Sequence, residues 1–545
     1  MNKYLFQIWS NAQLSGLVCL IVVLYGCNKY PSKIAAGNIQ VPTQRSISWN
    51  NKSGFADSII ENWASNPIPD WNKSAKVDAP RIYLAKLILN EDIKEVNEYL
   101  QHAIPKGIVG SSWALNKHGD YDFSLTILTT ILFKYGDSLS KIYPETKEHL
   151  LKVLLTEEGN KFSYSAPRTL GLAPETENHV LMTEGSRYLK NRWLQMHGDQ
   201  DKKYDNIGNG MEQKLLAVIA TLRNSGLYEF NSLPYIGYTI TALLNLEAYS
   251  SEKLRNASRD LLDFMNWTYA LGSYQLKHFA PMRRRYEKAG FTSLTTDYQS
   301  VFMKTWISFS NRTEFNRNIS GALPHAFMGA CMPYRPADEI MKLLFDKGNG
   351  YFVKLGHGID ACPEIYTAGQ HYLLSAGGAN RGENSIIVAR PICLFLNDDA
   401  QELEKVFHVG GPGKDFKKWN NTGVYENFAC AAGPVYIPSN FKPVQTNGNW
   451  SSYSLKDSIN VVVYTTDTFG LIAVIVGKPS QGLLDEIVKQ NSDTGKLQEL
   501  FQFQNGLKIH YDVNAKKNTW VIKSVNDSVM NRDYDQWPLI DGRIN

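Results

Sequence analysis

The sequence predicts an α+β chain of more than one domain, with helices gathered in its N-terminal part and strands in its C-terminal part. Two observations carry that expectation. From about residue 80 to 345 apolar residues recur near helical spacing, and after about residue 347 the pattern turns to period two and to short apolar runs. With 545 residues, 43% of them hydrophobic and 12% aromatic, the chain is long enough for a sizeable core. Four segments follow: a leader over 1–27, a tether over 28–50, a helical domain over 51–346 and a β-rich domain over 347–545.

Residues 14–26 form an apolar run that is too short to span a membrane comfortably and is preceded by a single charge, Lys3. It reads as an export signal. Leu24-Tyr25-Gly26-Cys27 follows the bacterial lipoprotein pattern, with Leu three before and Gly one before the cysteine, although Tyr25 is bulkier than the usual small residue. The expectation is an exported bacterial lipoprotein, lipidated at Cys27, on the periplasmic side or associated with the outer membrane. A plain signal peptide cut nearby is the alternative. Residues after Cys27 carry no acidic tag, which leans toward the periplasm. The membrane is then a partner only through the lipid anchor. A net charge of +4 gives no basic excess of the kind a nucleic-acid binder shows.

In the helical region, residues 82–101 place Leu84, Leu87, Ile88, Ile93, Val96 and Leu100 on one helix. Further helices fit 123–135, 145–156, 178–195, 210–224, 234–249, 252–270, 296–309 and 336–346. Residues 214–222 are apolar nearly all round, as a buried helix would be. Strands fit 385–389, 460–464, 471–476, 507–511 and 519–522, with one helix over 482–490 among them. The arrangement is two packed modules, one of helices and one of strands. Cys331, Cys362, Cys393 and Cys430 form no CxxC pair and no Cys/His cluster, which speaks against zinc. Two disulfides or free buried thiols both remain open.

The chemistry-bearing residues fall in the loops before these helices. Glu177-Asn178-His179 opens the 178–195 helix, which also carries Glu184, Arg187 and Tyr188. An amide beside an imidazole can hydrogen-bond a carboxylate and acidify the proton on the neighbouring carbon; His179 can alternatively take that proton. Capping by Thr176 or Asn178 is the plain structural explanation. Asp297-Tyr298 begins another helix, just after Arg283-Arg284-Arg285, so Tyr298 is a candidate base and acid. The arginines match carboxylates as bidentate donors, or form a solvated loop. Trp113 and the Asn116-Lys117-His118-Gly119-Asp120-Tyr121-Asp122-Phe123 loop look like a sugar-binding wall, or Asp120 and Asp122 cap the helix. His357 and Tyr366 lie where the strands begin and would close a cleft from above, or form a turn. Glu175, Glu177, Asp120 and Asp122 also supply the carboxylate pair a glycoside hydrolase needs. No Walker loop, GxSxG elbow or HExxH is present.

On the Gly119–Phe123 loop, Glu177-Asn178-His179 and Asp297-Tyr298, the chain resembles polysaccharide lyases built on helical (α/α) toroids, and most of all polysaccharide lyase family 38, which acts on alginate and glucuronan. The resemblance covers the helical part well and the β region loosely. It implies an (α/α) toroid or incomplete barrel of helical hairpins followed by an antiparallel β domain. It further implies cofactor-free, metal-free β-elimination on a β-1,4-linked uronan. Asn178 and His179 would neutralise the uronate carboxylate, and Tyr298 would take the C5 proton and return one to O4. One of Arg187, Arg283, Arg284 and Arg285 would supply a cation. A toroid glycoside hydrolase and a non-catalytic glycan-binding lipoprotein are the rival readings.

Overall fold

A computed structural model of the chain describes residues 40–73, 78–107, 120–164, 175–284, 290–310, 326–356, 363–377, 387–410, 422–477, 481–515 and 519–543. Helices fill its N-terminal part and antiparallel sheets its C-terminal part, as the sequence periodicities predict. Helix α1, Gly54–Ala64, starts at Ser53, whose hydroxyl accepts the Ala56 N–H. The single helix expected over 82–101 is two, α2 (Asp78–Leu89) and α3 (Ile93–His102). The break falls at Asn90 and Asp92, with φ of 65° and 47°. Among residues other than glycine, that left-handed conformation costs Asn and Asp least, and it ends the helix despite continuous apolar spacing.

The chain continues through α4 (Asp122–Tyr135), α5 (Pro144–His149) with a π turn over Leu150–Leu154, and α6 (Glu177–Met196). Then come α7 (Met211–Ser225), α8 (Tyr235–Tyr249), α9 (Glu252–Gly272) and α10 (Tyr298–Ile307). Short helices α11 (Phe327–Cys331) and α12 (Asp338–Leu343) close the helical part. The α7 segment is a correction. It buries only Met211, Leu215, Ile219 and Leu222, while Ala217 and Ala220 face solvent. Alanine is cheap to expose, so an apolar sequence made partly of alanines does not demand burial on every side.

Helices α4, α6 and α8 pack side by side and run parallel. Phe123 in the first turn of α4 touches His179 and Tyr238 in the first turns of α6 and α8. Farther along, the Phe133 ring lies 5.3 Å from Trp193, and Thr130 donates to Asn245 at 2.8 Å. Asn245 in turn donates to the Thr126 carbonyl at 2.7 Å, so this buried amide is satisfied. Between the parallel helices the chain returns by antiparallel ones: α9 follows α8 after Ser250-Ser251, and Arg259 pairs back to Glu247.

Three layers result. A seven-stranded antiparallel sheet runs from edge to edge through Val435–Tyr436, Phe407–Val409, Arg390–Leu396, Tyr372–Gly377, Glu364–Gly369, Tyr351–Leu355 and Ile540–Arg543. Side chains alternate along them. Tyr366, Leu373, Cys393 and Phe395 join the core shared with the helices, while Ile365, Leu374, Ile392 and Leu394 join a second core. That second core faces a six-stranded sheet that includes the strands Ile459–Thr465 and Gly470–Val476. Helix α13, Leu483–Gln490, lies where the 482–490 pattern put it, whereas the strand expected over 519–522 begins at Ile522. Cys331, Cys393 and Cys430 are free thiols, which excludes two disulfides among the four cysteines; Cys362 lies outside the described residues.

Candidate functional site

The first turns of α2, α4, α6, α8 and α10 gather at one end of the helical layer. At their centre His179 is 12% exposed at its side chain, and its Nδ1 hydrogen-bonds the Asp122 carboxylate. Phe123 meets the imidazole edge-on at 5.5 Å between ring centres and Tyr238 at 4.4 Å. Burial pulls the His179 pKa down, but Asp122, Glu175 and Asp120 overcome it and raise it to about 9. At neutral pH His179 is therefore an imidazolium, suited to holding an anion and not to accepting a proton.

Asn178 is fully buried. Its Oδ1 accepts from the Thr176 hydroxyl at 2.6 Å, and its Nδ2 has no partner among the described residues. The capping explanation fails here: Thr176 sits at the N-cap of α6, yet no side chain caps the helix. Tyr121 takes the N-cap of α4 without a side-chain bond, so neither Asp120 nor Asp122 caps that helix. Asp297 does cap α10, accepting from the Gln299 and Ser300 backbone N–H groups at 2.6 and 3.2 Å. Tyr298 is the first residue of α10 and packs on Gly237 of α8, where an added Cβ would stand 2.8 Å from the Tyr298 ring.

Beside this centre lies a ring of charge. Glu177 is buried and accepts the Glu229 N–H at 2.7 Å. Arg284 pairs with Glu229 and lies over the Tyr235 ring at 4.7 Å; Arg283 lies over Tyr228 at 3.8 Å. Burial, then the Glu177 charge, push the Glu229 pKa up to about 7 against the pull of Arg284. Burial also raises Glu177, opposed by its backbone hydrogen bonds and by Arg283 and Arg284. Glu175 is raised by burial first, with Asp122 and Asp120 adding to it and His179 opposing.

Asn178, His179, Glu177, Asp120, Tyr298, Arg283 and Arg284 are thus grouped around these helix starts. Three other expected site residues are not. Arg187 lies eight positions beyond His179, about 12 Å along the helix. It is held by Glu184 at 2.8 Å, by Glu157 and by the Glu158 carbonyl at 2.8 Å, which makes it a structural cation. The Tyr121 hydroxyl is buried and donates to the Leu154 carbonyl at 2.9 Å. Tyr366 is fully buried beneath Gly272 and donates to Glu364. Its strand buttresses the loop before α8, since Glu364 accepts from Asn231 at 2.7 Å. Trp113, Arg285, His357 and Cys27 lie outside the described residues.

Sequence reasoning missed Arg81, Tyr235, Tyr238 and Glu229. Arg81 and Tyr238 interact electrostatically with each other, and Arg81 also with Asp78 and Tyr298. The only advance sign was Tyr235 and Tyr238 at i and i+3, a spacing that puts two phenols on one face of a helix start. Among the described residues no group of three or more His, Cys, Asp or Glu is arranged to hold a metal ion. Compared with known proteins, the chain matches no family model, no curated protein and no solved structure.

Proposed function

We propose that this chain is a polysaccharide lyase that cleaves a β-1,4-linked uronan, such as alginate or glucuronan, by β-elimination. The observation that carries the reading is the His179 imidazolium, fixed by Asp122, beside the unspent amide of Asn178. Such a pair offers two donors to a uronate carboxylate and draws off charge as an enolate develops at C5. The N-terminal ends of α4, α6, α8 and α10 add positive potential at the same place. Tyr298, at the start of α10 beside them, takes the C5 proton and returns one to O4. His179 is already protonated, so the base role passes to the tyrosine.

On this reading the parallel helices α2, α4, α6, α8 and α10 form the inner wall of an incomplete (α/α) toroid, and their returns form the outer wall. The lipid anchor at Cys27 would keep the enzyme at the periplasmic or outer membrane. Glu175 favours a second reading. A carboxyl raised by burial next to Asp120 and Asp122 is what a glycoside hydrolase uses as its general acid. Incubation with alginate, glucuronan and glycosaminoglycans separates the two. A lyase raises near-ultraviolet absorbance through a conjugated double bond, a hydrolase releases reducing ends without it, and a binding protein does neither.

A further inference from the structure

Residues 41–53, ahead of α1, form a strap that ties down helix α10 at both of its ends. Val41 is buried in the core of the helical layer, and Ile47 and Trp49 pack against that core. At the C-terminal end of α10 the contacts are direct. The Asn50 N–H donates to the Phe309 carbonyl at 2.8 Å, Trp49 and Ser310 form an antiparallel bridge, and the Ser53 hydroxyl donates to the Ser308 hydroxyl at 2.6 Å. The strap is also fixed to the start of α12. Asp338 accepts the Ile47 N–H at 3.2 Å and the Ser46 hydroxyl at 2.5 Å, and its own N–H donates to the Gln44 carbonyl at 2.9 Å.

The other end of α10, where Tyr298 stands, is reached through a chain of buried polar groups. Arg45 pairs with one carboxylate oxygen of Asp263 on α9. The second Asp263 oxygen accepts from the Tyr334 hydroxyl at 2.7 Å, and that hydroxyl accepts from the Asn266 amide at 3.0 Å. Asn266 Oδ1 accepts from Gln299 Nε2 at 3.1 Å, and the same nitrogen donates to the Met265 carbonyl at 2.9 Å. Gln299 directly follows Tyr298, and its backbone N–H is held by Asp297 at 2.6 Å. Asp263, Tyr334, Asn266 and Gln299 are each at most 4% exposed, so bulk water cannot replace a lost partner. The Tyr334 ring also meets Trp306, near the far end of α10, at 5.1 Å between ring centres.

We propose that Arg45 is a positioning residue for Tyr298, acting through Asp263, Tyr334, Asn266 and Gln299 to set where α10 begins. This rests on the reading of Tyr298 given above. Without the guanidinium, Asp263 is a buried carboxylate stripped of its countercharge, and it must take up a proton or draw in water. Burial already raises its pKa against the pull of Arg45. Either change alters the acceptor that orients the Tyr334 hydroxyl, and with it the Asn266 amide that holds Gln299. The first turn of α10 is then free to shift, and Tyr298 shifts with it. A displacement of about 1 Å at a reacting group costs on the order of a hundredfold in rate. Through this chain a segment ahead of the first helix governs the geometry of a site that it does not itself touch.

The test reads Tyr298 directly. Full-length protein labelled at the tyrosine ζ carbon is followed by NMR, with Tyr298→Phe and Tyr121→Phe assigning two resonances, and kcat and KM are measured on alginate and glucuronan. In Arg45→Met the Tyr298 resonance is expected to move or broaden while that of Tyr121, outside the chain of bonds, stays in place. kcat is expected to fall about tenfold or more, with KM changed by less than about twofold. Adding Asp263→Asn removes the stranded charge and keeps an acceptor for Tyr334, so the double variant is expected to recover most of both losses. An unmoved Tyr298 resonance in folded Arg45→Met overturns the proposal, as does a double variant no better than the single one. A shift shared by Tyr121 is general loosening and overturns it too. Should Arg45→Met fail to fold, Arg45→Lys keeps the charge but loses the planar fork, and a smaller shift of Tyr298 is expected; no shift again overturns it. A response of Tyr298 in a protein that makes no unsaturated product would remove the lyase reading and leave the Arg45 route standing.

Discussion

His179 and Asp122 form a charge-assisted hydrogen bond between the first turns of two adjacent parallel helices. The bond does two things at once: it fixes the register of α4 against α6, and it keeps the imidazole protonated. Structure and proposed chemistry are tied together at this contact.

Asp122→Asn tests that link. Burial alone lowers the His179 pKa, so with the carboxylate gone it should fall from about 9 toward or below 6.5. In the folded wild type the raised pKa contributes stability that is complete below about pH 6.5 and is lost as pH rises through about 9. The contribution is of the order of 3 kcal/mol at its fullest, and Asp122→Asn should flatten this alkaline slope. Imidazole NMR and urea melts across pH 6 to 10 measure both effects.

Gly237→Ala probes the seat of Tyr298. The new methyl would meet the Tyr298 ring near its root at 2.8 Å and Phe302 at 3.6 Å, with no flexible chain end to yield. A loss of about 1–3 kcal/mol in stability is expected. Turnover should fall further than stability accounts for, because the phenol moves. Steady-state kinetics on folded protein read this out.

Tyr298→Phe should abolish turnover and leave substrate binding nearly intact, since the ring and its packing on Gly237 remain. Binding isotherms paired with kcat separate the two effects. A variant that keeps most of its activity removes Tyr298 from the mechanism.

The Glu177-Asn178-His179 and Asp297-Tyr298 segments were legible as helix starts because the helical periodicity breaks just before them, although only Asp297 caps its helix. Arg81 was not, because Asp78-Ala79-Pro80-Arg81 reads as an ordinary helix entry and a single sequence does not reveal which polar residue of a helix faces inward. Arg187 shows the converse. It shares a helix with His179, and only the positions of Glu157 and Glu158, some thirty residues earlier in the chain, decide that its charge is already used. The 82–101 helix failed for a local reason, two left-handed residues that apolar spacing does not register.

Arg187→Met should act on the fold and not on the substrate. Glu184 is 1% exposed at its side chain and depends on Arg187 to offset burial. Breaking the pair should cost about 3–5 kcal/mol. The KM of whatever protein folds should stay unchanged, and denaturant titration with kinetics on the soluble fraction checks both.

Glu229 predicts a second pH dependence. Its pKa is raised from 4.5 to about 7 by burial and by Glu177, so the stability it contributes is complete below about pH 4.5 and is lost as pH rises through about 7. Glu229→Gln cannot titrate and should remove that slope. Melting temperature followed from pH 4 to 8 shows whether it does.

The most direct measurement is the mass of the oligosaccharides released from alginate or glucuronan in ¹⁸O-labelled water. β-Elimination by Tyr298 over the Asn178–His179 pair predicts products with no solvent oxygen, each newly formed non-reducing end one water lighter than its hydrolytic counterpart. Products that carry one ¹⁸O at each new reducing end, with no loss of water, would contradict the elimination and transfer the site to the carboxylates around Glu175.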